Sequence, residues 1–329
     1  MAKLLEVKNL ITQFKVDKTK IISAVDKVSF SIDEGETLAI VGESGSGKSV
    51  TALSVMQLVP NPPGHIEGGE IFFQGEDLLK MSPAQMREVR GNKISMIFQE
   101  PMTSLNPVYT IGEQITEAIR LHLKLSKKDA EARAVELLRK VEIPDAEKRL
   151  KTYPHQLSGG MRQRVMICMA LSCSPKLLIA DEPTTALDVT IQAQILDLIR
   201  HLRESEKTAV MFITHDLGVV ADIAHRAVVM YAGNIMEMGS VHDMFLNPLH
   251  PYTRGLLNAI PKLSTPRGEK LYTIRGIVPD LSNLPKGCVF STRCEECMEI
   301  CHEKRPPLRQ LEDGRQVRCF KVEGGKVIG

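Results

Sequence analysis

No stretch of this 329-residue chain approaches the roughly 18 consecutive apolar residues of a membrane-spanning helix. The charged N-terminus, Met1 to Asn9, carries Lys3, Glu6 and Lys8 and does not resemble a signal peptide. Both features set the expectation of a cytosolic, non-integral protein. Nor is there an excess of one charge. Lys and Arg number 42 against 40 Asp and Glu, and a net charge of +2 gives no ground for a nucleic-acid partner. Cysteine is scarce over most of the chain. Only Cys168 and Cys173 precede residue 287, and the other five of the seven follow it. In a cytosolic chain such clustering points to metal rather than disulfides. The length allows one large or two ordinary domains.

The most informative stretch runs from Thr37 to Thr51. Leu38 to Val41 reads as a buried strand, a glycine-rich turn follows, and Val50 to Val59 can be helical. Gly42, Gly47, Lys48 and Ser49 fit G-x-x-x-x-G-K-[ST] in the strand–turn–helix context that gives the pattern its meaning. Glycines let backbone N–H groups turn inward around an anion, and the helix N-terminus adds partial positive charge there. Lys48 can reach the β- and γ-phosphates of a nucleotide, and Ser49 can hold Mg²⁺.

Along the chain, residues 4–14 and 21–32 read as antiparallel strands joined by a charged turn at Asp17 to Lys20. Residues 60–75 are rich in Pro and Gly and read as loop, with a short strand at Glu70–Phe73. Ser82-Pro83 starts a helix, with Ser as cap and Pro at the first position. Residues 93–98 form a strand ending at Gln99, where a polar side chain can reach a ligand or simply cap the strand. Residues 112–142 read as helical. Ser158-Gly159-Gly160 opens a second helix with a glycine-rich N-terminus, and so a second place for a phosphate. Leu177 to Ala180 is an apolar strand ending in Asp181 and Glu182. A strand-end Asp can serve Mg²⁺ through water, and the adjacent Glu can polarise an attacking water. A helix follows to about Glu204, then the apolar strand Ala209–Thr214 ending at His215. The hairpin Ala227 to Gly239 turns at Gly233. Residues 241–287 read as a short helix followed by extended chain.

Taken in order, these motifs resemble the ATP-binding subunits of ABC transporters over residues 1 to about 240. The resemblance rests on the Walker A run, the Gln99 loop, Leu157-Ser-Gly-Gly-Met161, the Leu177–Glu182 strand, the Ala186–Asp188 turn and His215. It implies an α/β fold of the P-loop NTPase type: an ABC nucleotide-binding domain with a core sheet, an antiparallel β subdomain and a helical subdomain over about residues 100–165. Residues 1–240 would be the cassette, and 241–329 a small Cys-rich C-terminal lobe.

The same resemblance implies the roles. Gly42, Ser44, Gly45, Ser46, Gly47, Lys48, Ser49 and Val50 would hold the phosphates of ATP. Ser49 and Gln99 would bind Mg²⁺, with Asp181 behind water. Glu182 would be the catalytic base or water-orienting group, His215 the γ-phosphate switch, and Phe14 the aromatic that stacks on adenine. Ser158, Gly159 and Gly160 would contact the ATP of an opposite subunit, giving a head-to-tail dimer with a second, homologous ATP-binding subunit. Met161 departs from the usual Gln, a change that leaves the backbone amides in place.

Gln99 to Pro107, Tyr153 to Met161 and Leu249-His-Pro-Tyr252 resemble the dipeptide/oligopeptide importer branch, its dipeptide members above all. That implies two transmembrane permeases, an extracytoplasmic peptide-binding protein and a peripheral position on the cytoplasmic membrane face. Nickel or other small-solute importers share much of the pattern, and a soluble non-transport ABC ATPase is the remaining alternative. Cys288, Cys294, Cys297, Cys301 and Cys319 could ligate zinc or an iron–sulfur cluster. Cys294-x2-Cys297 is a zinc-like spacing. The importer resemblance implies a 4Fe-4S cluster on Cys288, Cys294, Cys301 and Cys319. Cys168 and Cys173 read as buried apolar fillers.

Overall fold

A computed structural model describes residues 3–17, 20–99, 104–185, 188–261, 272–323 and 326–327. The chain divides into two compact units. One comprises Met1–Leu4, Ile32–Glu36 and Phe73–Phe212, the other Leu5–Ser31, Thr37–Phe72 and Ile213–Gly329.

The second unit begins with β1 (Lys3–Lys15) and β2 (Ile21–Asp33), two long strands whose inward positions are Leu5, Val7, Leu10, Val25, Val28 and Phe30. β3 (Thr37–Val41) is buried at all five positions, the pattern of a strand covered on both faces. Helix α1 (Lys48–Val55) starts two residues before the sequence suggests and stops four earlier. Its end is closed locally: Gln57 is left-handed (φ 49°), and the Leu58 amide donates to the Leu53 carbonyl. β4 (Gly64–Phe73) is longer than the short strand expected, because the glycines that read as loop lie within it. Gly69 (φ +101°) is there for a close approach: a Cβ on it would stand 2.7 Å from the Asn9 carbonyl oxygen and the Leu10 Cα of β1. The strands run in the order β2-β1-β4.

The first unit carries β5 (Glu76–Asp77), α2 (Pro83–Val89) and β6 (Ile94–Ile97). Ser82 and Gln85 close a capping box on α2, as the Ser-Pro start suggests. The helical stretch expected over 112–142 is two helices, α3 (Ile111–Leu123) and α4 (Lys127–Lys140). The break is chemical. Lys124 ends α3 in the left-handed conformation, and the Ser126 side chain caps α4 by accepting from the Asp129 amide. α5 (Ala146–Arg149) leads to α6 (Gly159–Leu171), capped by Ser158. β7 (Leu177–Asp181) is fully buried and lies parallel to β6, with Ile94 opposite Leu177. α7 (Val189–Glu206) is capped by Asp188. β8 (Ala209–Thr214) follows, and its last two residues fall in the second unit.

The remaining elements belong to the second unit. α8 (Leu217–Ile223) precedes the hairpin of β9 (Arg226–Tyr231) and β10 (Asn234–Ser240). The two turn residues, Ala232 (φ 46°) and Gly233 (φ 77°), are both left-handed, as a tight type I′ hairpin requires. β9 runs parallel to β3, with Val41 opposite Val229. Two short helices follow where one was expected: α9 (Val241–Leu246) and α10 (Pro251–Asn258). Later come α11 (Glu299–Glu303) and the short strands β11 (Arg309–Gln310), β12 (Gln316–Val317), β13 (Val322–Glu323) and β14 (Lys326–Val327). β12 pairs with β10, so the strand order β11-β12-β10-β9-β3 places the C-terminal segment on the same sheet as β3. One core continues across it: Tyr231, Tyr252, Phe290, Cys288 and Cys301 pack together, with Tyr231 and Phe290 edge to face at 5.2 Å. Glu237 is completely buried there. Its carboxylate accepts from the Leu249 and His250 amides, which fixes the turn entering α10.

Gly69→Ala should lower the thermal midpoint by roughly 3 °C, since it adds a backbone clash to an unfavourable φ, about 2 kcal/mol together. Gly75→Ala has a positive φ but open space around its Cβ, and should cost only about 1 kcal/mol. Equal shifts for the two variants would contradict the close-packed account of β4.

Candidate functional site

In the second unit, the turn from Gly42 to Val50 leaves the C-terminal end of β3 and enters α1. Two glycines are obligatory there. A Cβ on Gly42 would stand 2.2 Å from the Met230 carbonyl oxygen, and one on Gly47 (φ +99°) would stand 2.4 Å from that of Ala24. Lys48 is 5% exposed, and its ammonium donates to the carbonyls of Gly42 (2.8 Å) and Glu43 (3.0 Å), crossing the mouth of the turn. Gly47 gives α1 no side-chain cap. The Ser46 hydroxyl is buried without a hydrogen-bond partner. Ser44 and Gly45 form the exposed tip, and Ser49 and Val50 are half-buried. A helix start without a side-chain cap, an orphaned hydroxyl and a buried lysine make a cradle suited to an anion.

Phe14 lies on β1, half-buried, with its ring against Gly64 so closely that a Cβ on that glycine would meet Cε1 at 2.7 Å. Two residues earlier, the Thr12 and Ser54 hydroxyls share a hydrogen bond (2.8 Å) that ties β1 to α1. His215 stands exposed just beyond β8. Its neighbour Asp216 caps α8, accepting from the Gly218 and Val219 amides.

In the first unit, β7 ends at the buried Asp181, and Glu182 turns the chain in a left-handed conformation (φ 45°) that a non-glycine residue rarely adopts. The Glu182 carboxylate accepts from Gln99 Nε2 (3.1 Å) and Thr185 Oγ1 (2.9 Å). The structure thus brings Gln99 and Glu182 together. Residues 100–103, beyond Gln99, and Ala186–Leu187 of the expected turn lie outside the described residues. At the start of α6 the Ser158 hydroxyl accepts from the Met161 amide (3.3 Å). Gly159 and Gly160 occupy the first helical turn, and nothing stands within 4 Å of a Cβ placed on Gly159. Sequence reasoning missed Gln163. It is 2% exposed on α6, and its Nε2 donates to the Pro183 carbonyl (2.6 Å), joining that helix to the Glu182 turn. Its neighbours Arg162 and Arg164 make the start of that helix read as polar, so no sequence signal marked Gln163 as buried.

Cys288, Cys294, Cys301 and Cys319 line one small cavity of the second unit, together with His250 and Phe290. Burial pushes the Cys288 thiol up to about 11 and that of Cys294 to about 12, and neighbouring thiols add to both. Cys319 is raised for the same first reason. Cys297 lies outside that lining and contacts His302. All seven cysteines are free thiols. Among the described residues, no group of three or more His, Cys, Asp or Glu side chains is arranged to hold a single metal ion. Cys168 and Cys173 are buried in and just after α6, where desolvation raises both thiols.

Comparison with known proteins covers both parts of the chain. Residues 25–185 match the family model described as ABC transporter, and residues 236–301 match the C-terminal region of the oligopeptide/dipeptide transporter. The oligopeptide transport ATP-binding protein AppD of Bacillus subtilis is 55% identical, with 98% of each chain covered. The dipeptide transport ATP-binding protein DppD of Escherichia coli is 49% identical, with 96% of each chain covered. Among solved structures, the dimeric post-hydrolysis state of the ATP-binding cassette MJ0796, bound to ADP and Pi, superposes with a TM-score of 0.65 at 28% identity. The match covers 72% of this chain and 98% of that one.

Gln163→Met should leave Mg-ATP affinity within about twofold and slow turnover roughly tenfold, the effect of one buried hydrogen bond that sets the Glu182 turn. Steady-state ATPase assays beside equilibrium binding decide it. Unchanged turnover would remove Gln163 from the site.

Proposed function

The chain belongs to the ABC transporter family of ATP-binding cassettes, and from that premise we propose that it is the ATP-hydrolysing subunit of a di-/oligopeptide importer. One observation carries the substrate class. Relatives alike over nearly the full length are named for oligopeptide and dipeptide transport, and residues 236–301 match the C-terminal region described for oligopeptide/dipeptide transporters. The nickel-importer and soluble-ATPase readings have no comparable support.

The residue roles follow from family motif and local geometry together. The Gly42–Val50 turn cradles the triphosphate, with Lys48 released from its two carbonyls to the β- and γ-phosphates. Ser49, Gln99 and Asp181 would hold Mg²⁺, which would neutralise charge on the phosphates. Glu182 orients or deprotonates the attacking water, and its two hydrogen bonds pre-align it for that task. His215 senses the γ-phosphate, and Phe14 stacks on adenine. Ser158, Gly159 and Gly160 complete the ATP site of a homologous partner subunit in a head-to-tail dimer. Binding closes that dimer and hydrolysis reopens it. The accelerating term is electrostatic, because Mg²⁺, Lys48, helix amides and His215 neutralise the transferring phosphoryl group.

Dimerisation and association with membrane permeases are the expected assembly of such subunits. The permeases would dock on the helical part of the first unit, where α3 and α4 border a cleft and Val108, Tyr109 and Leu121 are exposed. An extracytoplasmic peptide-binding protein would deliver substrate. Among the described residues no helix is long and apolar enough to cross a membrane, which accords with a peripheral place on the cytoplasmic face. The domain division, residues 1–240 and 241–329, is part of the same proposal.

A 4Fe-4S cluster on Cys288, Cys294, Cys301 and Cys319 fits the chemistry of the cavity, which offers an all-sulfur donor set from four buried or half-buried thiols. A single zinc ion, the alternative, would need the sulfurs at about 2.3 Å from one point. A cluster spreads its four thiolates over separate irons. When bound it would brace the C-terminal segment.

Co-purified with its permeases in lipid, the protein should show peptide-stimulated ATPase activity. Glu182→Gln should abolish that activity by about a hundredfold or more while keeping Mg-ATP binding. Stimulation by nickel but not by peptides would overturn the substrate class, and wild-type phosphate release by Glu182→Gln would overturn the base. Protein prepared anaerobically should be brown, with iron and sulfide in equal amounts, and Cys319→Ser should lose both. Colourless material holding stoichiometric zinc would contradict the cluster.

A further inference from the structure

Glu43 sits at a position of the phosphate-binding pattern that accepts any residue. In this chain it is held on three sides. Its amide donates to the Tyr252 hydroxyl (2.9 Å), and its carbonyl accepts from the Lys48 ammonium (3.0 Å). Its carboxylate takes both terminal nitrogens of Arg293, with Nη2 donating to Oε1 at 3.1 Å and Nη1 to Oε2. This fork-to-fork pairing fixes direction as well as distance, and lysine cannot reproduce it.

The two outer partners are themselves immobilised. Tyr252 is fully buried, with its ring 4.8 Å from Tyr231 and 5.3 Å from Phe290. The Arg293 side chain is 4% exposed. It donates through Nε to the Arg275 carbonyl (3.0 Å) and through Nη2 to that of Ile274 (3.3 Å), and its guanidinium lies over the Tyr231 ring. Arg293 immediately precedes Cys294, and its amide donates to the Phe290 carbonyl (3.0 Å). The residues that fix Glu43 thus come from α10 and from the segment that carries the cysteines, more than 200 positions along the chain.

Lys48 holds the carbonyls of Gly42 and Glu43, so whatever sets Glu43 also sets where the lysine and the first helix amides stand. We propose that Arg293 and Tyr252 are positioning residues for the phosphate-binding turn, and that through Glu43 the C-terminal segment sets the nucleotide affinity of the cassette. The proposal rests on the reading of residues 42–50 as a triphosphate cradle. Neither residue touches the phosphates, so both act on binding and leave the chemical step alone.

The test uses the full-length chain, a fluorescent ATP analogue with Mg²⁺, and steady-state kinetics. Wild type is measured first, because failure to bind there defeats the cradle itself and not this inference. Arg293→Met and Glu43→Ala should each weaken binding roughly tenfold. Arg293→Met should also raise KM with kcat nearly unchanged. The double variant should be no weaker than either single one, since both remove the same tether. Arg293→Lys should recover little, and Tyr252→Phe, which deletes one oxygen from an intact core, should lose about threefold. If Arg293→Met fails to fold by circular dichroism, Tyr252→Phe decides alone. Affinity within twofold of wild type for Tyr252→Phe and any folded Arg293→Met overturns the proposal. So do losses that multiply in the double variant.

Discussion

Space for less than a methyl group governs the glycine-rich turn after β3. The backbone of residues 42–47 is wound so tightly against the carbonyls of Met230 and Ala24 that only hydrogen fits at Gly42 and Gly47. That winding leaves the Ser46 hydroxyl without a partner, draws Lys48 into the mouth of the turn and presents the first amides of α1 uncapped. Each of those groups would be costly in an ordinary turn, where a buried polar atom lacks compensation. Together they are the features that suit a polyanion site.

The packing around the turn explains why it can carry that cost. β3 leads into it and is buried on both faces. β9 lies parallel beside β3, and the β9–β10 hairpin carries β12 of the C-terminal segment on its far edge. The aromatic cluster of Tyr231, Tyr252 and Phe290 ties the residues after 240 to the same core, and burial of Cys288 and Cys301 continues it. The cysteine segment is thereby part of the support of the strand that leads into this turn, whatever the thiols hold. In the other unit, a comparable economy of groups fixes the acidic turn. The strained Glu182 backbone is stabilised by Gln99, Thr185 and, through Pro183, by Gln163.

Much of this was legible in the residues alone. Continuous apolar runs identified β3, β7 and β8 because buried strands leave no alternation to misread. Ser82, Ser158 and Asp188 stand at helix starts where side-chain caps are expected. The misreadings have physical causes. Gly64, Gly68 and Gly69 read as loop because sequence does not distinguish a glycine that bends the chain from one that admits a neighbouring backbone. The break between α3 and α4 was hidden because left-handed Lys124 has no compositional mark. The contacts of Tyr252 and Arg293 with the turn could not be found from sequence. Their partner Glu43 lies 209 and 250 residues away, and only the folded sheet brings them to it.

The central claim is that the turn at residues 42–49 is a preformed triphosphate cradle whose buried ammonium changes partners from carbonyl to phosphate. Titration calorimetry of Mg-ATP against wild type and Lys48→Met tests it most directly. The account predicts saturable binding by wild type and a loss of at least about tenfold in the folded variant, the value of one charge-assisted contact. Equal affinities for the two proteins would contradict it.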